Sequence, residues 1–281
     1  MKYATIHAHQ GEFAVRLMCR VLKVSPSGYY AWRSRTPSHQ AQARAALDAR
    51  VRAEFDARKG RAGAPRLARH LSVGRRQVAE SMRRQGLRAK AARKFKATTN
   101  SNHSLPVAQN LLQQNFTAAG PNQVWVGDIT YIGTDEGWLY LAVVLDLFSR
   151  KVVGWSMSDR MTATLVCDAL KMALFRRKRP RGVIMHTDRG SQYCSREHRD
   201  LLDANGLVAS MSAKGNCYDN AAMESWNHSL KVEAIHGERL ATRKQAKDLV
   251  FEYIEVDYNR NRLHSTLGYI SPEQFERAHA A

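Results

Sequence analysis

The sequence predicts a mixed α/β fold for the C-terminal part of the chain, preceded by a strongly basic helical region. Three apolar, β-rich runs follow one another between residues 124 and 157, and helical and strand patterns alternate after them. Such an alternation is typical of layered domains in which helices cover a sheet. The charge is equally uneven: residues 1–120 contain 23 Lys and Arg against 5 Asp and Glu, whereas residues 121–281 contain 21 against 20. The two parts therefore differ in both predicted structure and charge.

The basic part indicates a polyanionic partner. Nearly all of the net charge of +19 lies in the first 120 residues, and nucleic acid is the commonest partner of such a region. An acidic membrane surface is the alternative. It is disfavoured because the arginines are interleaved through several helical patterns and are not gathered into one amphipathic stripe. We therefore expect binding to nucleic acid.

Length and composition exclude several other classes of protein. The 281 residues suggest about two domains. No run approaches the roughly 18 apolar residues of a membrane span, and the first 13 residues lack the apolar segment of a secretion signal. The four cysteines, Cys19, Cys167, Cys194 and Cys217, form no C-x-x-C pair, which favours reduced thiols. We expect a cytoplasmic, nucleoid-associated protein without a membrane partner.

The basic region is predicted to consist of short helices. These span residues 12–24, 29–33, 40–58, 65–71 and 75–85. The last two have helix-turn-helix dimensions, within a part at about residues 63–87. In a DNA-binding motif of this kind, the second helix enters the major groove, where arginines meet phosphates or guanine edges. The candidate DNA-binding arginines are Arg75, Arg76, Arg83 and Arg84. A small helical packing unit with a solvated arginine face is the alternative.

Composition divides the chain into three parts. Residues 1–90 are predicted to be a basic α-helical DNA-binding region, residues 91–121 a linker, and residues 122–281 an α/β domain with C-terminal helices. The linker is polar and carries a basic run, Arg93, Lys94 and Lys96. We expect this run to contact DNA as well.

The α/β domain is predicted to contain five strands and four helices. The strands span residues 124–132, 139–148, 152–157, 182–186 and 207–211. The helices span residues 162–175, 196–204, 219–235 and 242–258. In the third helix, which Asp219 is placed to cap, the spacing of Met223, Trp226 and Leu230 predicts the buried face. A polar stripe of Asn220, Glu224, Asn227 and Lys231 lies beside that face.

Carboxylates in this domain suggest a metal site. Asp128 lies inside an apolar strand, where an ionised carboxylate is costly unless it is paired or binds a metal. Asp188 follows a strand at its carboxyl end, where α/β folds bind ligands. With Glu224, these residues supply the hard oxygen ligands that suit Mg²⁺ and Mn²⁺. Asp146 lies in an equally apolar run, and the residues alone barely separate it from Asp128.

The spacing of these carboxylates and the short motifs around them resemble those of a known family. Asp128, Asp188 and Glu224, with 35 residues between the last two, resemble the D-D-(35)-E pattern of transposases and retroviral-type integrases. Lys231 follows Glu224 by seven residues. Four short motifs are similar to those of the bacterial insertion sequence 3 family: WVGDITY at 125–131, HTDRGSQY at 186–193, DNAAMES at 219–225 and YNRNRLH at 258–264. The chain resembles the family's downstream-frame (OrfB-type) transposase over nearly its whole length.

This resemblance implies a ribonuclease-H-like, retroviral-integrase-type catalytic core. In such a core Asp128, Asp188 and Glu224 would hold two Mg²⁺ ions, with Mn²⁺ as a substitute, and Lys231 would contact the DNA backbone. Asp146 would be structural. The implied reaction cleaves DNA at the ends of the insertion sequence and joins the 3′-hydroxyl strand to a new phosphodiester by two-metal transesterification. The implied partners are double-stranded DNA, further copies of the chain on that DNA, and an upstream-frame protein segment.

Two alternatives remain open at this point. The chain would be a DNA-binding regulator of transposition if it occupied the element ends without cutting them. It would be a ribonuclease-H-like nuclease if it hydrolysed nucleic acid without joining strands. The complete carboxylate set argues against the regulator, and the basic helical region argues against the simple nuclease.

Overall fold

A five-stranded mixed sheet forms the centre of the molecule. A computed structural model of the protein describes residues 1–90, 106–212 and 221–279. The strands are β1 (Val124–Thr134), β2 (Gly137–Asp146), β3 (Val152–Ser158), β4 (Ile184–Thr187) and β5 (Val208–Met211). Their order across the sheet is β3-β2-β1-β4-β5. The first three strands pair antiparallel, and β4 and β5 run parallel to β1. The predicted α/β class is confirmed.

Both faces of this sheet are covered, which explains its nearly continuous apolar strands. Alternate residues of β2 enter two different cores because successive side chains of a strand point to opposite faces. Leu141 and Val143 pack with the C-terminal helices, whereas Ala142 and Val144 pack with the helices between the strands. A strand buried on both faces has no polar side and reads as an uninterrupted apolar run.

The helices of this domain lie in two layers. They are α7 (Ala163–Arg176), α8 (Arg196–Ala204), α9 (Ala221–Leu230), α10 (Arg243–Phe251) and α11 (Pro272–Ala278). Helices α7 and α8 cover one face of the sheet, and α9 and α10 cover the other. Helix α9 continues into a π-helical turn (Lys231–Ile235), and α10 continues into another (Glu252–Tyr258). The predicted helices over 219–235 and 242–258 thus change hydrogen-bonding pattern part-way. Asp219 and Asn220 lie outside the described residues.

The N-terminal region forms two small helical groups. The first contains α1 (Lys2–Ala8), α2 (Val15–Val21) and α3 (Pro26–Ser34), packed around Ile6, Cys19 and Tyr29. Helix α1 was not predicted, and α2 begins at Val15 and not at residue 12 because residues 9–13 form turns. The described cysteines Cys19, Cys167 and Cys194 are buried and form no disulfide; Cys217 lies outside the described residues.

The second group, which we call the three-helix unit, contains α4 (His39–Ala57), α5 (Ala64–Leu71) and α6 (Arg75–Arg84). These helices pack around Val51, Leu67 and Val78. Ser72, in the left-handed conformation at φ +53°, ends α5 and starts the short turn to α6. The helix pair predicted within residues 63–87 is therefore present, and α4 completes its core.

The three-helix unit and the chain that follows it both contact the α/β domain. Lys59 and Lys90 of the unit pair with Glu252 and Glu238 of the C-terminal part. Residues 106–121 run along the domain, with Leu112 only 5% exposed in its core, whereas residues 91–105 lie outside the described part. Among the described helices, none has the length and apolarity that would let it cross a bilayer.

Candidate active site

Two of the predicted carboxylates lie close together where the pairing of β1 with β4 ends. In this parallel pairing Gly127 lies opposite Thr187, so Asp128 is the next residue of β1 and Asp188 is the first residue after β4. Both line one cleft of about 600 Å³. The register thus brings carboxylates from two separate parts of the sequence to the same cleft.

Hydrogen bonds orient both side chains. One Asp128 oxygen, Oδ1, accepts from the Ile129 amide at 2.9 Å, and Oδ2 accepts from Asn227 Nδ2 at 2.7 Å. Asp188 Oδ1 accepts from the Gly190 amide at 2.9 Å. Asn227 belongs to the polar stripe of α9, but its sequence position suggested no role. In the structure it ties that helix to Asp128.

Glu224 lies in the first turn of α9, and its side chain is exposed. The predicted buried face of this helix is confirmed, since Met223, Trp226 and Leu230 are all 2% exposed or less. Glu224 does not line the cleft that Asp128 and Asp188 share. Within the part of the chain that the structure describes, no three carboxylate, His or Cys side chains are grouped to hold one ion. Two of the three candidate ligands are thus brought together, and the third stands nearby on α9.

The electrostatics of the cleft fit a cation. Burial and the negative charges of Asp188 and Glu224 raise the pKa of Asp128 to about 7, against the opposing hydrogen bonds from Ile129 and Asn227. Carboxylates that repel one another in this way are stabilised by a divalent ion between them. The donors are all hard oxygens, the ligand set of Mg²⁺ and Mn²⁺. The residues present therefore fit the metal that the resemblance implies.

Asp146 makes its contacts outside the cleft. It is fully buried at the end of β2, where its carboxylate accepts from the amides of Asn122 at 2.9 Å and Phe148 at 3.0 Å. Arg177 lies 3.6 Å from it. These contacts close the turns at the end of the sheet and account for an acidic residue in an apolar run.

An aromatic edge borders the cleft next to Lys231. The Lys231 ammonium lies 4.8 Å from the centre of the Tyr131 ring, and Tyr131 packs edge-to-face against Trp138 at 5.1 Å. Tyr131 and Trp138 both line the cleft. Lys231, which is predicted to contact the DNA backbone, therefore lies against an aromatic residue of the cleft.

The predicted DNA-binding arginines have different contacts in the structure. Arg75, Arg76 and Arg83 are exposed on α6. Arg84 instead forms two hydrogen bonds to Asp48 of α4, Nη2 to Oδ1 at 2.6 Å and Nε to Oδ2 at 3.1 Å. Arg84 therefore fastens α6 to α4, a role that the sequence did not predict. Arg93, Lys94 and Lys96 lie outside the described residues.

A buried ion cluster joins the three-helix unit to the helix of Glu224. Glu233, 6% exposed in the π-helical turn after α9, accepts from Arg66 at 2.9 Å and from Nε and Nη2 of Arg262 at 2.8 Å each. The Tyr253 hydroxyl donates to the Glu233 carboxylate at 3.0 Å, and the backbone carbonyl of Glu233 accepts from Arg61. Burial alone would raise the pKa of Glu233, but the hydrogen bonds and charges of Arg262 and Arg66 outweigh it and lower that pKa. We call this set the Glu233 cluster.

Comparison with known families agrees with this geometry. The integrase core domain family matches residues 118–217, and a second integrase core domain family matches residues 224–279. Together these matches include the sheet, the cleft and α9 from Glu224 onward. The α/β core is ribonuclease-H-like, as the resemblance implied.

Solved structures of viral integrases are similar to parts of this chain at low sequence identity. The simian T-cell lymphotropic virus intasome in complex with the PP2A regulatory subunit B56 gamma is 19% identical, with a TM-score of 0.48, over 76% of this chain and 70% of that one. The HTLV-2 integrase catalytic core domain in complex with magnesium is 18% identical, with a TM-score of 0.42, over 57% and 99%.

Bacterial relatives match over nearly the whole chain. The transposase InsF for insertion sequence IS3A of Escherichia coli (strain K12) is 57% identical over 100% of both chains. The insertion element IS600 uncharacterized 31 kDa protein of Shigella sonnei is 47% identical over 92% of this chain and 97% of that one. Because it matches integrase core domains and is 57% identical to the transposase InsF over its full length, the chain belongs to the insertion sequence 3 family of transposases.

Proposed function

We propose that this transposase cleaves DNA at the ends of its insertion sequence and joins the 3′-hydroxyl strand to a new phosphodiester at the cleft of Asp128 and Asp188. The observation that supports the proposal is that Asp128 of β1 and Asp188, the residue directly after β4, line one cleft. The negative charge of Glu224 also acts on Asp128. Asp128, Asp188 and Glu224 would hold two Mg²⁺ ions, with Mn²⁺ as a substitute. The bound ions supply Lewis-acid assistance to in-line displacement at phosphorus.

The other residues position the DNA and the ligands. Asn227 holds the Asp128 carboxylate toward α9, and Lys231 stands at the cleft edge where a backbone phosphate would lie. Arg75, Arg76 and Arg83 present a basic face on α6 that suits the major groove of the element ends. The partners in this account are double-stranded DNA, further copies of the chain, and an upstream-frame segment.

The identity of the reaction products tests this proposal. A labelled duplex carrying one pre-cut element end is incubated with the protein, a target duplex and Mg²⁺, and the products are separated on a denaturing gel. The labelled strand is expected to become longer, because it gains the part of the target strand on the 3′ side of the attacked phosphate. Shortened strands alone would indicate a hydrolytic nuclease, and bound but unaltered DNA would indicate a regulator.

Asn227→Ala should lower the rate of joining by about 10- to 100-fold, because the side chain that orients a metal ligand is lost while the ligands remain. Rates are measured at saturating DNA across a Mn²⁺ titration, and a higher Mn²⁺ requirement is expected. Asn205→Ala is a matched control, since Asn205 makes one similar hydrogen bond, to the Leu201 carbonyl at 2.8 Å, at the end of α8. Equal rates for the two variants would remove the positioning role from Asn227.

Metal binding should depend on pH through Asp128. Because its pKa is raised to about 7, a metal ion must displace a proton below that pH. Apparent Mn²⁺ affinity, measured by calorimetry, should rise by up to about tenfold per unit as the pH increases from 5.5 to 7, and level off above. Asp128→Asn should weaken binding and flatten this dependence.

The same titration affects stability with the opposite sign. The folded protein binds the Asp128 proton more tightly than the unfolded chain, whose Asp pKa is near 3.8. This contribution to stability is therefore complete below pH 3.8 and is lost as the pH rises through about 7.

The metal-binding prediction has its own contrary result. A wild type whose Mn²⁺ affinity did not change between pH 5.5 and 7 would contradict the role given to Asp128.

A further inference from the structure

A second cavity lies between the three-helix unit, α9 and the C-terminal segment. Its volume is about 580 Å³, and no described residue lines both this cavity and the cleft of Asp128 and Asp188. Arg66 comes from the start of α5, Ser225 and Ser229 from α9, and Thr266 from the short 3₁₀ turn Ser265–Leu267. The cavity is thus built from the basic N-terminal region and from the helix that carries Glu224.

Three arginines give this cavity an excess of positive charge. Arg66 and Arg262 share the single carboxylate of Glu233, which is not among the residues that line the cavity. Arg150 lines the cavity from the turn between β2 and β3. Among the described residues it has no carboxylate partner, and its guanidinium donates to the Phe116 carbonyl at 3.4 Å. Burial lowers the pKa of Arg150, as expected for a cation without an anion beside it.

The neighbouring histidine responds to the same positive charge. His264 lines the cavity, and burial together with the charges of Arg262 and Arg66 lowers its pKa to about 3. His264 is therefore neutral and adds no further charge. A half-buried cation without a counter-ion costs stability, and this cost is removed when an anion with several acceptor oxygens enters the cavity. Guanidinium groups and hydroxyls together suit a phosphate.

We propose that this cavity binds a phosphate group of a DNA strand, with Arg150 as its principal ligand. A strand is favoured over a small free anion because the cavity opens between the unit that presents the α6 arginines and the helix next to the cleft. The inference rests on the proposed function for its partner, DNA. It is independent of the proposed chemistry, since it concerns binding in the absence of metal.

The test measures DNA affinity against salt without divalent ions. The probe is a fluorescein-labelled duplex of an element end, and the full chain is titrated at several KCl concentrations by anisotropy. Arg150→Gln should weaken binding by about tenfold or more. It should also lower the slope of log affinity against log salt by about 0.9, the contribution of one phosphate. Arg150→Lys should keep most of that slope because it keeps the charge.

A second pair of variants keeps the test valid if Arg150→Gln folds poorly. Thr266 is exposed at the cavity rim, so Thr266→Glu adds a negative charge there and should weaken binding, whereas Thr266→Gln should not. Arg196→Gln is the charge-matched control, because the Arg196 side chain is 88% exposed on α8. It should change the affinity by less than about twofold.

Two results would overturn the proposal. Unchanged slopes in both Arg150→Gln and Thr266→Glu would show that no DNA phosphate enters the cavity. The cavity would be assigned to a small anion by a different pattern: inorganic phosphate raises the melting temperature of the wild type but not that of Arg150→Gln, and the two proteins have the same DNA slopes. Failure to join strands would instead count against the proposed function and leave these binding results unaffected.

Discussion

Glu224→Gln is expected to reduce strand cleavage and joining by on the order of 10³-fold or more, while DNA affinity stays within about twofold. The substitution keeps the size of the side chain and removes the one candidate ligand that α9 contributes. Because Glu224 is exposed, the fold should not suffer. Joining is measured with pre-cut ends in Mg²⁺, and binding by anisotropy without metal.

Glu238→Gln is the control for this prediction. Glu238 is another carboxylate of the C-terminal part, half exposed and paired with Lys90, and its loss should leave joining intact. If Glu224→Gln joined strands at a rate near that of the wild type, Glu224 would not be a metal ligand. If it lost DNA binding as well, Glu224 would have to be assigned to the DNA interface.

Glu233→Gln should lower the free energy of unfolding by about 3–5 kcal/mol, because it leaves the nearly buried Arg262 and the partly buried Arg66 without a carboxylate. The expected fall in the melting temperature is on the order of 10 °C. Since the cluster holds the three-helix unit against the turn that follows α9, we also expect faster proteolysis between the unit and the α/β domain. Calorimetry and limited trypsin digestion measure the two effects.

The effect should far exceed that of an exposed ion pair. Glu238→Gln breaks the Lys90–Glu238 ion pair, which joins the same two parts of the molecule. Because water already screens this pair, its loss should lower the free energy of unfolding by less than about 1 kcal/mol. A melting temperature of Glu233→Gln within about 2 °C of that control would mean that the cluster contributes little to stability.

Much of the fold was predictable because its core is strongly patterned. The three antiparallel strands, α7 and α8 lie within a few residues of their predicted positions, and α8 matches residues 196–204. Strands buried on both faces and helices with regular apolar spacing give strong signals in the sequence. Helix α1 gave a weaker signal because it buries a single residue, Ile6.

The candidate site was predictable only in part. Asp128 and Asp146 lie in similar apolar runs, and what distinguishes them in the structure is contact with Asn227 and Arg177, respectively, which are far away in the sequence. The Glu233 cluster was not predictable, because it joins residues from the three-helix unit to a turn about 170 positions later. The partnering of Arg84 with Asp48 was missed for the same reason: an arginine on a helix surface has the same local pattern whether it contacts DNA or another helix.

A supercoiled plasmid carrying the two ends of the element tests the central claim most directly. The wild type and Glu224→Gln are incubated with it in Mg²⁺ and, separately, with a chelator, and nicked and joined strands are measured. The account predicts joined strands from the wild type in Mg²⁺ alone, with neither product from the chelated reaction or from the variant. Joined strands in the presence of the chelator, or from Glu224→Gln, would contradict a metal-dependent site formed by Asp128, Asp188 and Glu224.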